Sequence, residues 1–280
     1  MTERSSSGEL LAWAELQLSR HHIATAHLDA LVLLEDVTKV DRVHLLTEPK
    51  QSVTRSQRLR FMRLVKLRSK QLPLAYVRGK TEFYGREFIL NHHVLEPRPE
   101  SEALIEELNR VVSHDPKINT VMDIGTGSGA LIISAKLEHP KLEAIAVDID
   151  PQCLKVARRN AVNHAATINF YRGNLITPIP KSIWSGQEIL IANLPYVPDN
   201  WQINPSAARE PAIAIFGGPD GLKLYRLLFE QLSQLAHPPK WVLTEALPPQ
   251  HQALSEIALK QNYKLHLTND FVQVFKKLIR

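Results

Sequence analysis

The region after residue 120 alternates β-prone and helical segments, and this alternation limits the chain to a small number of folds. β-prone runs are found at 120–124, 143–149, 168–172, 188–193, 240–246, 264–268 and 272–276. Segments with apolar residues at helical spacing lie between most of them. Such alternation is typical of a mostly parallel sheet covered by helices on both faces. We therefore expect an α/β fold whose ligand site lies at the carboxyl ends of the strands.

The region before residue 96 has a different character. Residues 8–72 carry apolar residues at helical spacing. Residues 73–95 contain short β-prone runs around "KTEFYGRE", which indicate a hairpin between two domains. We therefore predict a helical, substrate-docking domain at 1–72, a β-hairpin linker at 73–95 and the main domain at 96–280.

The third helical segment of the N-terminal region is rich in cations. They are Arg55, Arg58, Arg60, Arg63, Lys66, Arg68 and Lys70. A solvated helix face is the first interpretation of such a run, and a docking face for an acidic or RNA partner is the alternative.

Composition excludes several classes of protein. The 280 residues are 44% apolar and carry a net charge of +5, with no apolar run near the roughly 18 residues of a membrane span. The single cysteine, Cys153, excludes an internal disulfide and fits a reducing, cytoplasmic location. The 12 histidines form no HExxH motif and stand beside no cysteine pair, so we expect no metal site. The modest charge permits a nucleic acid partner but does not require one.

A glycine-rich turn follows the first of these β-runs. In "VMDIGTGSGALIISA", Gly125, Gly127 and Gly129 separate a strand from a helix. Glycines at such a turn let the backbone bend sharply and let a ligand approach the main chain. A tight turn without a ligand would give the same pattern.

An acidic residue strengthens the ligand interpretation. Asp148 ends the second β-run, 19 residues after Gly129, where a carboxylate accepts hydrogen bonds from two ribose hydroxyls. Asp150, followed by proline, is expected to cap the next helix. Asn174 and Leu175 follow the third β-run and form either an adenine site or a plain β-turn. An adenosine-containing cofactor is indicated, such as NAD, FAD or S-adenosylmethionine.

The segment "IANLPYV" ends the fourth β-run, next to the glycine loop in a sheet of this kind. The Asn193 side chain and the Leu194 carbonyl offer two acceptors that would hold an –NH₂ group facing a methyl donor. Tyr196 would stack on the flat group that carries the nitrogen, and the rigid Pro195 would fix the geometry between them. If the four residues 193–196 stood alone, a strand end followed by a proline turn would be the simpler interpretation.

Taken together, these segments resemble the HemK/PrmC-type N5-glutamine methyltransferases of peptide chain release factors. The resemblance covers nearly the whole chain. It rests on "PLAYVRGKTEFYGREF", "VLEPRPESEALIE", "DIGTGSGALIISA", "AVDIDPQCLKVARRNA", "NLPY" and "REPAIAIFGGPDGLKLYR". The linker and Arg-Pro-Glu segments are specific to this family, whereas the glycine motif is shared by many methyltransferases.

The resemblance implies a seven-stranded, Rossmann-like class I methyltransferase with a small helical N-terminal domain. It implies that S-adenosylmethionine is held by Gly125, Thr126, Gly127, Ser128, Gly129, Asp148, Asn174, Leu175 and Asn193. The same resemblance assigns the substrate glutamine to Asn193, Leu194, Pro195 and Tyr196, with Asn193, Pro195 and Tyr196 as catalytic residues. The implied protein substrate is a class-1 release factor, methylated at the glutamine of its Gly-Gly-Gln motif, with neither a membrane nor a metal as a partner.

The chain departs from the family pattern at four places. Leu194 stands where the family has proline, and Asn174 stands where many members have aspartate. "HPPKWVLTEA" has two prolines in place of two glycines, and "NDFVQVF" lacks a Gly-x-x-Arg stretch. Leu194 retains the backbone carbonyl, so an acceptor for the amide is still present, and the four departures together leave open a slow or altered enzyme.

Two other functions remain open from the sequence. Asn-Leu-Pro-Tyr is also the motif of ribosomal RNA adenine-N6 dimethyltransferases, in which a flipped adenine takes the place of the amide. The N-terminal helices and "EPRPESE" match the glutamine enzymes instead. The departures would also suit a catalytically weakened methyltransferase fold kept as a binding module, but such a module has no use for the glycine loop, Asp148 and Asn193 together.

Overall fold

The structure, a computed structural model, describes residues 5–278. It divides into two compact units. One unit extends to Lys80 and also includes Ile203–Arg209, and the other comprises Thr81–Gln202 and the chain from Glu210 on. The division between Lys80 and Thr81 falls inside the segment that the sequence predicts to be a linker.

The first unit is helical. Its elements are β1 (Ser5–Ser6), α1 (Ser7–Arg20), α2 (Ala26–Thr38), α3 (Arg42–Thr47), β2 (Ser52–Val53), α4 (Arg55–Arg68) and α5 (Leu74–Arg78). Capping boxes begin α1 at Ser6 and α4 at Thr54. Leu10, Leu33 and Phe61 are among its fully buried side chains.

A buried ion pair ties helices of this unit together. Arg68 Nε donates to Asp29 Oδ2 at 2.6 Å, and both side chains are almost fully buried. The same guanidinium donates through Nη1 to the Leu72 carbonyl and to Ser206 Oγ, at 3.0 and 3.3 Å. Each additional acceptor offsets part of the cost of burying the charge.

One prediction for the linker is wrong. The β-prone run after Pro73 forms the short helix α5, not a strand. Ala75 and Val77 are buried, so tertiary packing has overridden the local β-propensity. Gly79 ends the helix in the left-handed conformation, with φ 74°.

A hairpin follows at the predicted place. It consists of β3 (Lys80–Phe83) and β4 (Arg86–Ile89). Tyr84 and Gly85 both have positive φ at the turn, as a tight two-residue hairpin turn requires.

The second unit is built on a twisted seven-stranded sheet, which confirms the predicted fold class. Its strands are β5 (Thr120–Ile124), β6 (Glu143–Asp148), β7 (Asn169–Arg172), β8 (Glu188–Ala192), β9 (Trp241–Glu245), β10 (Tyr263–Asn269) and β11 (Val272–Lys277). The spatial order is β10-β11-β9-β8-β5-β6-β7. Pairing is parallel from β7 to β9, and β11 and β10 are antiparallel.

Helices cover both faces of the sheet. They are α6 (Glu102–His114), α7 (Ala130–Glu138), α8 (Pro151–Asn163), α9 (Lys223–Ser233) and α10 (His251–Lys260). Alternate residues of each central strand enter opposite cores: Val121 packs with α6 and α7, whereas Met122 packs with α9 and α10. Burial on both faces explains why these strands are continuous apolar runs.

Candidate active site

A cavity opens where the parallel strands β5, β6, β7 and β8 end at one edge of the sheet. Residues named from the sequence line it: Gly125, Gly127, Asp148, Asn174, Leu175, Asn193, Leu194 and Pro195. The connections that leave the neighbouring strands β5 and β8 run in opposite directions, toward β6 and toward β9. The crevice between such connections is where open α/β sheets bind their ligands.

The glycine loop forms one wall of the cavity. Gly127 has a φ of +54°, and a Cβ added there would meet no atom within 4 Å. The backbone conformation therefore calls for glycine, and the main chain faces open space at this point. A Cβ at Gly129 would instead lie 3.1 Å from the Ala157 side chain, so this glycine allows α7 and α8 to pack closely.

Thr126 and Ser128 brace the loop from inside the protein. The Thr126 hydroxyl donates to Asp123 Oδ2 at 2.6 Å, and the Ser128 carbonyl accepts from Asn160 Nδ2 at 2.9 Å. Asp123 is fully buried, which raises its pKa to about 7. Its second oxygen, Oδ1, has no hydrogen-bond partner among the described residues.

Asp148 links the glycine loop to the end of β6. Its Oδ2 accepts the Gly127 N–H and its Oδ1 accepts the Asp150 N–H, both at 2.9 Å. Burial raises the pKa of the Asp148 carboxyl, although these backbone hydrogen bonds oppose the shift. Asp150 accepts the Gln152 N–H at 2.8 Å and begins α8, so its predicted capping role is confirmed.

The turn after β7 provides an apolar wall. Leu175 is buried with φ +53°, a conformation that costs energy for a non-glycine residue and is held by its surroundings. Ile149 and Ile213 also line the cavity, although their side chains are 53% and 66% exposed. Exposed apolar side chains at the rim of a cavity suit a flat apolar ring.

The amide of Asn193 has a defined orientation. Its Nδ2 donates to Ser101 Oγ at 2.9 Å and to Glu245 Oε2 at 3.1 Å. An amide nitrogen carries two hydrogens, so both are used by protein acceptors. The hydrogen-bond network thereby assigns Oδ1 as the atom that Asn193 offers to a ligand.

Glu245 is the centre of this network, and the sequence analysis did not single it out. It ends β9 and is 1% exposed. Besides Asn193, it accepts the Tyr196 hydroxyl at 2.8 Å and hydrogen-bonds with Ser101. Burial raises the pKa of Glu245, and these three bonds act against that shift. A carboxylate directly after the buried run "WVLT" was the signal in the sequence that could have identified it.

Ser101 is held in position by the segment before α6. It ends a short 3₁₀ turn, Pro99–Ser101, and its N–H donates to the Arg98 carbonyl at 3.0 Å. Arg98 in turn donates to Glu210 Oε1 at 2.6 Å, and the buried Glu210 also accepts the Glu96 N–H. The Arg-Pro-Glu segment noted in the sequence therefore places a hydroxyl beside Asn193.

Leu194 fills the space beneath the glycine loop. It is 3% exposed, and a Cβ at Gly125 would lie 3.1 Å from its Cδ2. Its N–H donates to the Tyr225 hydroxyl at 3.3 Å. Leucine at this position is therefore a core residue that supports Gly125.

The Pro195 and Tyr196 carbonyls are covered by the loop "FGGPDGL". A Cβ at Gly217 would collide with the Pro195 oxygen, and one at Gly221 would collide with the Tyr196 oxygen. Gln250 Nε2 also donates to the Tyr196 carbonyl at 2.8 Å. Tyr196, predicted to stack on the substrate, is not among the residues that line the cavity. Its hydroxyl donates to Glu245, and burial raises its pKa.

Within residues 5–278 of the chain, neither a cluster of metal ligands nor a membrane-spanning helix is present. No group of His, Cys, Asp and Glu side chains in this range is arranged to hold a metal ion. No helix within the same range has the length and apolarity that crossing a membrane demands.

Two solved structures show how the fold of this chain compares with known ones. The hMettl16 catalytic domain, in complex with the MAT2A 3'UTR hairpin 6, gives a TM-score of 0.54 at 14% identity and covers 82% of this chain and 86% of that one. The Thermus thermophilus 16S rRNA N2 G1207 methyltransferase RsmC, in complex with AdoMet and guanosine, gives a TM-score of 0.50 at 14% identity. The match covers 71% of this chain and 50% of that one. At these identities the likeness establishes the methyltransferase fold.

Sequence comparisons are more specific. Residues 9–79 match the model of the PrmC N-terminal domain, and residues 99–208 match the methyltransferase small domain. The release factor glutamine methyltransferase of Bacillus subtilis is 33% identical over 259 residues, covering 90% of this chain and 88% of that protein. Its Bacillus cereus counterpart is 38% identical over 209 residues, 72% of each chain. The two family models together match both the helical and the methyltransferase regions. With the identities and coverage of these relatives, the chain belongs to the release factor glutamine methyltransferase family.

Proposed function

We propose that this chain transfers a methyl group from S-adenosylmethionine to the side-chain amide nitrogen of the glutamine in the Gly-Gly-Gln motif of class-1 release factors. Membership of the family supports this activity. The observation that carries it is the orientation of Asn193, whose amide hydrogens are both used by the protein while its oxygen is left for an amide N–H. Release factors act in translation, so we place the chain in the cytoplasm.

The residues around the cavity fit S-adenosylmethionine. Gly127 presents unobstructed main chain, and the Asp148 carboxylate lies beside it as an acceptor for ribose hydroxyls. Leu175 and Asn174 supply an apolar surface and a polar group for the adenine. When bound, this cofactor supplies an electrophilic methyl group on a sulfonium.

Asn193 and Leu194 position the substrate amide. The Asn193 oxygen accepts one N–H of the glutamine, and the Leu194 carbonyl accepts the other. The nitrogen loses one of these two protons to solvent as it gains the methyl group. An amide nitrogen is a poor nucleophile, so fixed acceptors that strengthen as positive charge develops on nitrogen lower the barrier. Alignment of nitrogen and methyl group supplies much of the remaining acceleration.

Glu245 and Ser101 keep Asn193 in its productive rotamer. If the Asn193 amide rotated by half a turn, its oxygen would face the Glu245 carboxylate, and two hydrogen-bond acceptors would then repel each other. Glu245 also fixes the Tyr196 hydroxyl, which restrains the ring that we assign to the flat face of the substrate amide. Pro195 limits the backbone between them.

The test is a parallel incubation with labelled S-adenosylmethionine, a release factor and ribosomal RNA. Label should enter the release factor, and a variant of that factor with Gln→Ala in its Gly-Gly-Gln motif should take up none. Label in the RNA but none in the protein would replace this proposal with the adenine-N6 activity. Calorimetry with S-adenosylmethionine also separates both activities from a binding module that has lost its cofactor.

A further inference from the structure

A groove on the helical unit lies outside the cavity described above. One side is formed by successive turns of α1 and the residue that ends it: Trp13, Gln17 and His21. The other side is formed by α4 and the residues after it, among them Met62, Val65 and Lys66. A channel between two helices has the shape that accepts an extended or helical segment of a partner.

The floor of the groove is apolar and rigid. Val65 is buried. The Trp13 ring packs edge-on against Phe61, with ring centroids 6.4 Å apart. A half-buried tryptophan held by a core phenylalanine offers a large contact area at little cost in conformational entropy.

The rim of the groove is basic. Arg63, Lys66 and Lys70 line it and are exposed. None of the described residues that line it is acidic. The charge of this surface therefore complements an anionic partner, whereas an apolar floor of this kind is of no use to a solvated helix face.

We propose that this groove docks an acidic, amphipathic segment of the release factor. This inference rests on the function proposed above and names the surface of the N-terminal region, predicted at 1–72, that recognises the substrate. Apolar side chains of the segment contact Trp13 and Met62, and its carboxylates pair with Arg63, Lys66 and Lys70. Recognition of this type follows the pattern in which an amphipathic segment places its apolar face in a groove and its charges on the rim.

The test is a charge reversal inside the groove, compared with an identical reversal outside it. The groove variant is Lys66→Glu with Lys70→Glu. The control is Arg55→Glu with Arg60→Glu, which changes the net charge equally and alters exposed residues of the same helix that are not part of the described lining. Gln17→Glu adds one negative charge from α1 with almost no change in shape, and it serves as a second variant that preserves packing.

The groove variant should raise the Kd for the intact release factor by about tenfold or more, because like charges then face each other across the interface. The KM for the intact factor should rise in parallel, with kcat unchanged. Gln17→Glu should weaken binding by a few-fold, while the Arg55/Arg60 control stays within about twofold of the unaltered chain. A short peptide that contains Gly-Gly-Gln should be methylated equally by all of these proteins.

Equal Kd values for the groove and control variants would overturn the inference. So would a groove variant that loses affinity for ribosomal RNA while binding the release factor normally, which would make the groove an RNA site. If the unaltered chain binds the release factor without methylating it, the proposed function fails, but the Kd comparison still shows whether the groove docks the factor. If the unaltered chain does not bind the factor, both proposals fail.

Discussion

The two halves of the cavity are built in different ways. The half around the glycine loop is made of main chain and one carboxylate, and its key bond joins Gly127 to Asp148 across 21 residues. The half around Asn193 depends on side chains from distant segments, Ser101 at 92 residues and Glu245 at 52 residues along the chain. The first half depends on the local conformation of the backbone, whereas the second depends on a hydrogen-bond network that forms only when distant strands pair in the sheet.

This difference separates the consequences of mutation. Changes in the glycine-loop half should alter the affinity for the cofactor, because we assign the groups there to a bound ligand in its ground state. Changes in the Asn193 half should alter turnover, because we assign the acceptors there to charge that develops in the transition state. The separation would fail if a change in the glycine-loop half altered kcat instead of cofactor affinity, or if a change in the Asn193 half did the reverse.

The largest effect is expected for Asn193→Ala. The variant loses the acceptor that we assign to the substrate amide, so kcat should fall by about 100-fold or more, as for other single preorganised contacts. The Kd for S-adenosylmethionine should change by less than about threefold, which is less than 1 kcal/mol of binding free energy. Steady-state kinetics with a release factor and calorimetry with the cofactor measure the two parameters. A large loss of cofactor affinity with normal kcat would contradict the division.

Asp148→Ala should act on the other half. It removes the carboxylate that holds Gly127 and that we assign to the ribose hydroxyls. The loss should cost roughly 1–3 kcal/mol of cofactor binding with the lost partners counted. The matched control is Asp41→Ala, which removes an aspartate cap of α3 that does not line the cavity and should lower stability by about 1 kcal/mol. Its cofactor affinity should stay close to that of the unaltered chain. Equal affinities for both variants would show that Asp148 is not the ribose acceptor.

The same carboxyl predicts a pH dependence. Burial raises the pKa of Asp148, and the protonated form no longer accepts two hydroxyl hydrogen bonds. Cofactor affinity should therefore fall as the pH is lowered, starting above the range of an ordinary aspartate. Calorimetric titrations at several pH values test this, and an affinity that is constant down to the ordinary aspartate range would contradict it.

Glu245→Gln should lower kcat by about tenfold, the value of one hydrogen bond to a charged group. The new amide cannot accept from Asn193, Ser101 and Tyr196 together, so Asn193 loses the partner that fixes its rotamer. Because burial raises the pKa of Glu245, activity of the unaltered chain should decline as the pH falls through that raised value. The variant should lack this decline, and an identical pH profile would assign Glu245 a purely structural role.

Leu194→Pro should have the smallest effect on turnover, within about threefold, because the carbonyl at position 194 is kept and the Asn193 network is untouched. It loses the N–H that donates to Tyr225 and the side chain that packs beneath Gly125. Stability should therefore fall by about 1 kcal/mol or more. Thermal unfolding and kinetics on the same preparation distinguish this outcome from a loss of activity.

The glycine-loop half could be predicted from the sequence because its geometry is local. Positive φ at Gly125 and Gly127 and the carboxylate at the end of β6 follow from residue types in a short stretch. The β-strands were also predictable, since burial on both faces of the sheet leaves a continuous apolar run.

The network around Asn193 could not be predicted in the same way. No spacing rule connects Ser101 with Asn193 and Glu245, because the parallel order of β8 and β9 brings their ends together only after folding. The role of Leu194 was hidden for a similar reason, since its contact with Gly125 crosses from one strand end to the next. Helix α5 was missed because burial of Val77 in the helical unit outweighs the β-propensity of its segment.

The most direct test of the account is to locate the transferred methyl group. A release factor produced without methylation is incubated with the chain and S-adenosylmethionine, digested, and analysed by tandem mass spectrometry. The account predicts one methyl group on the side-chain nitrogen of the glutamine in Gly-Gly-Gln, which the Asn193→Ala variant should add about 100-fold more slowly. A methyl group on any other residue, or equal modification by the variant, would contradict the assignment of Asn193 as the group that presents the amide.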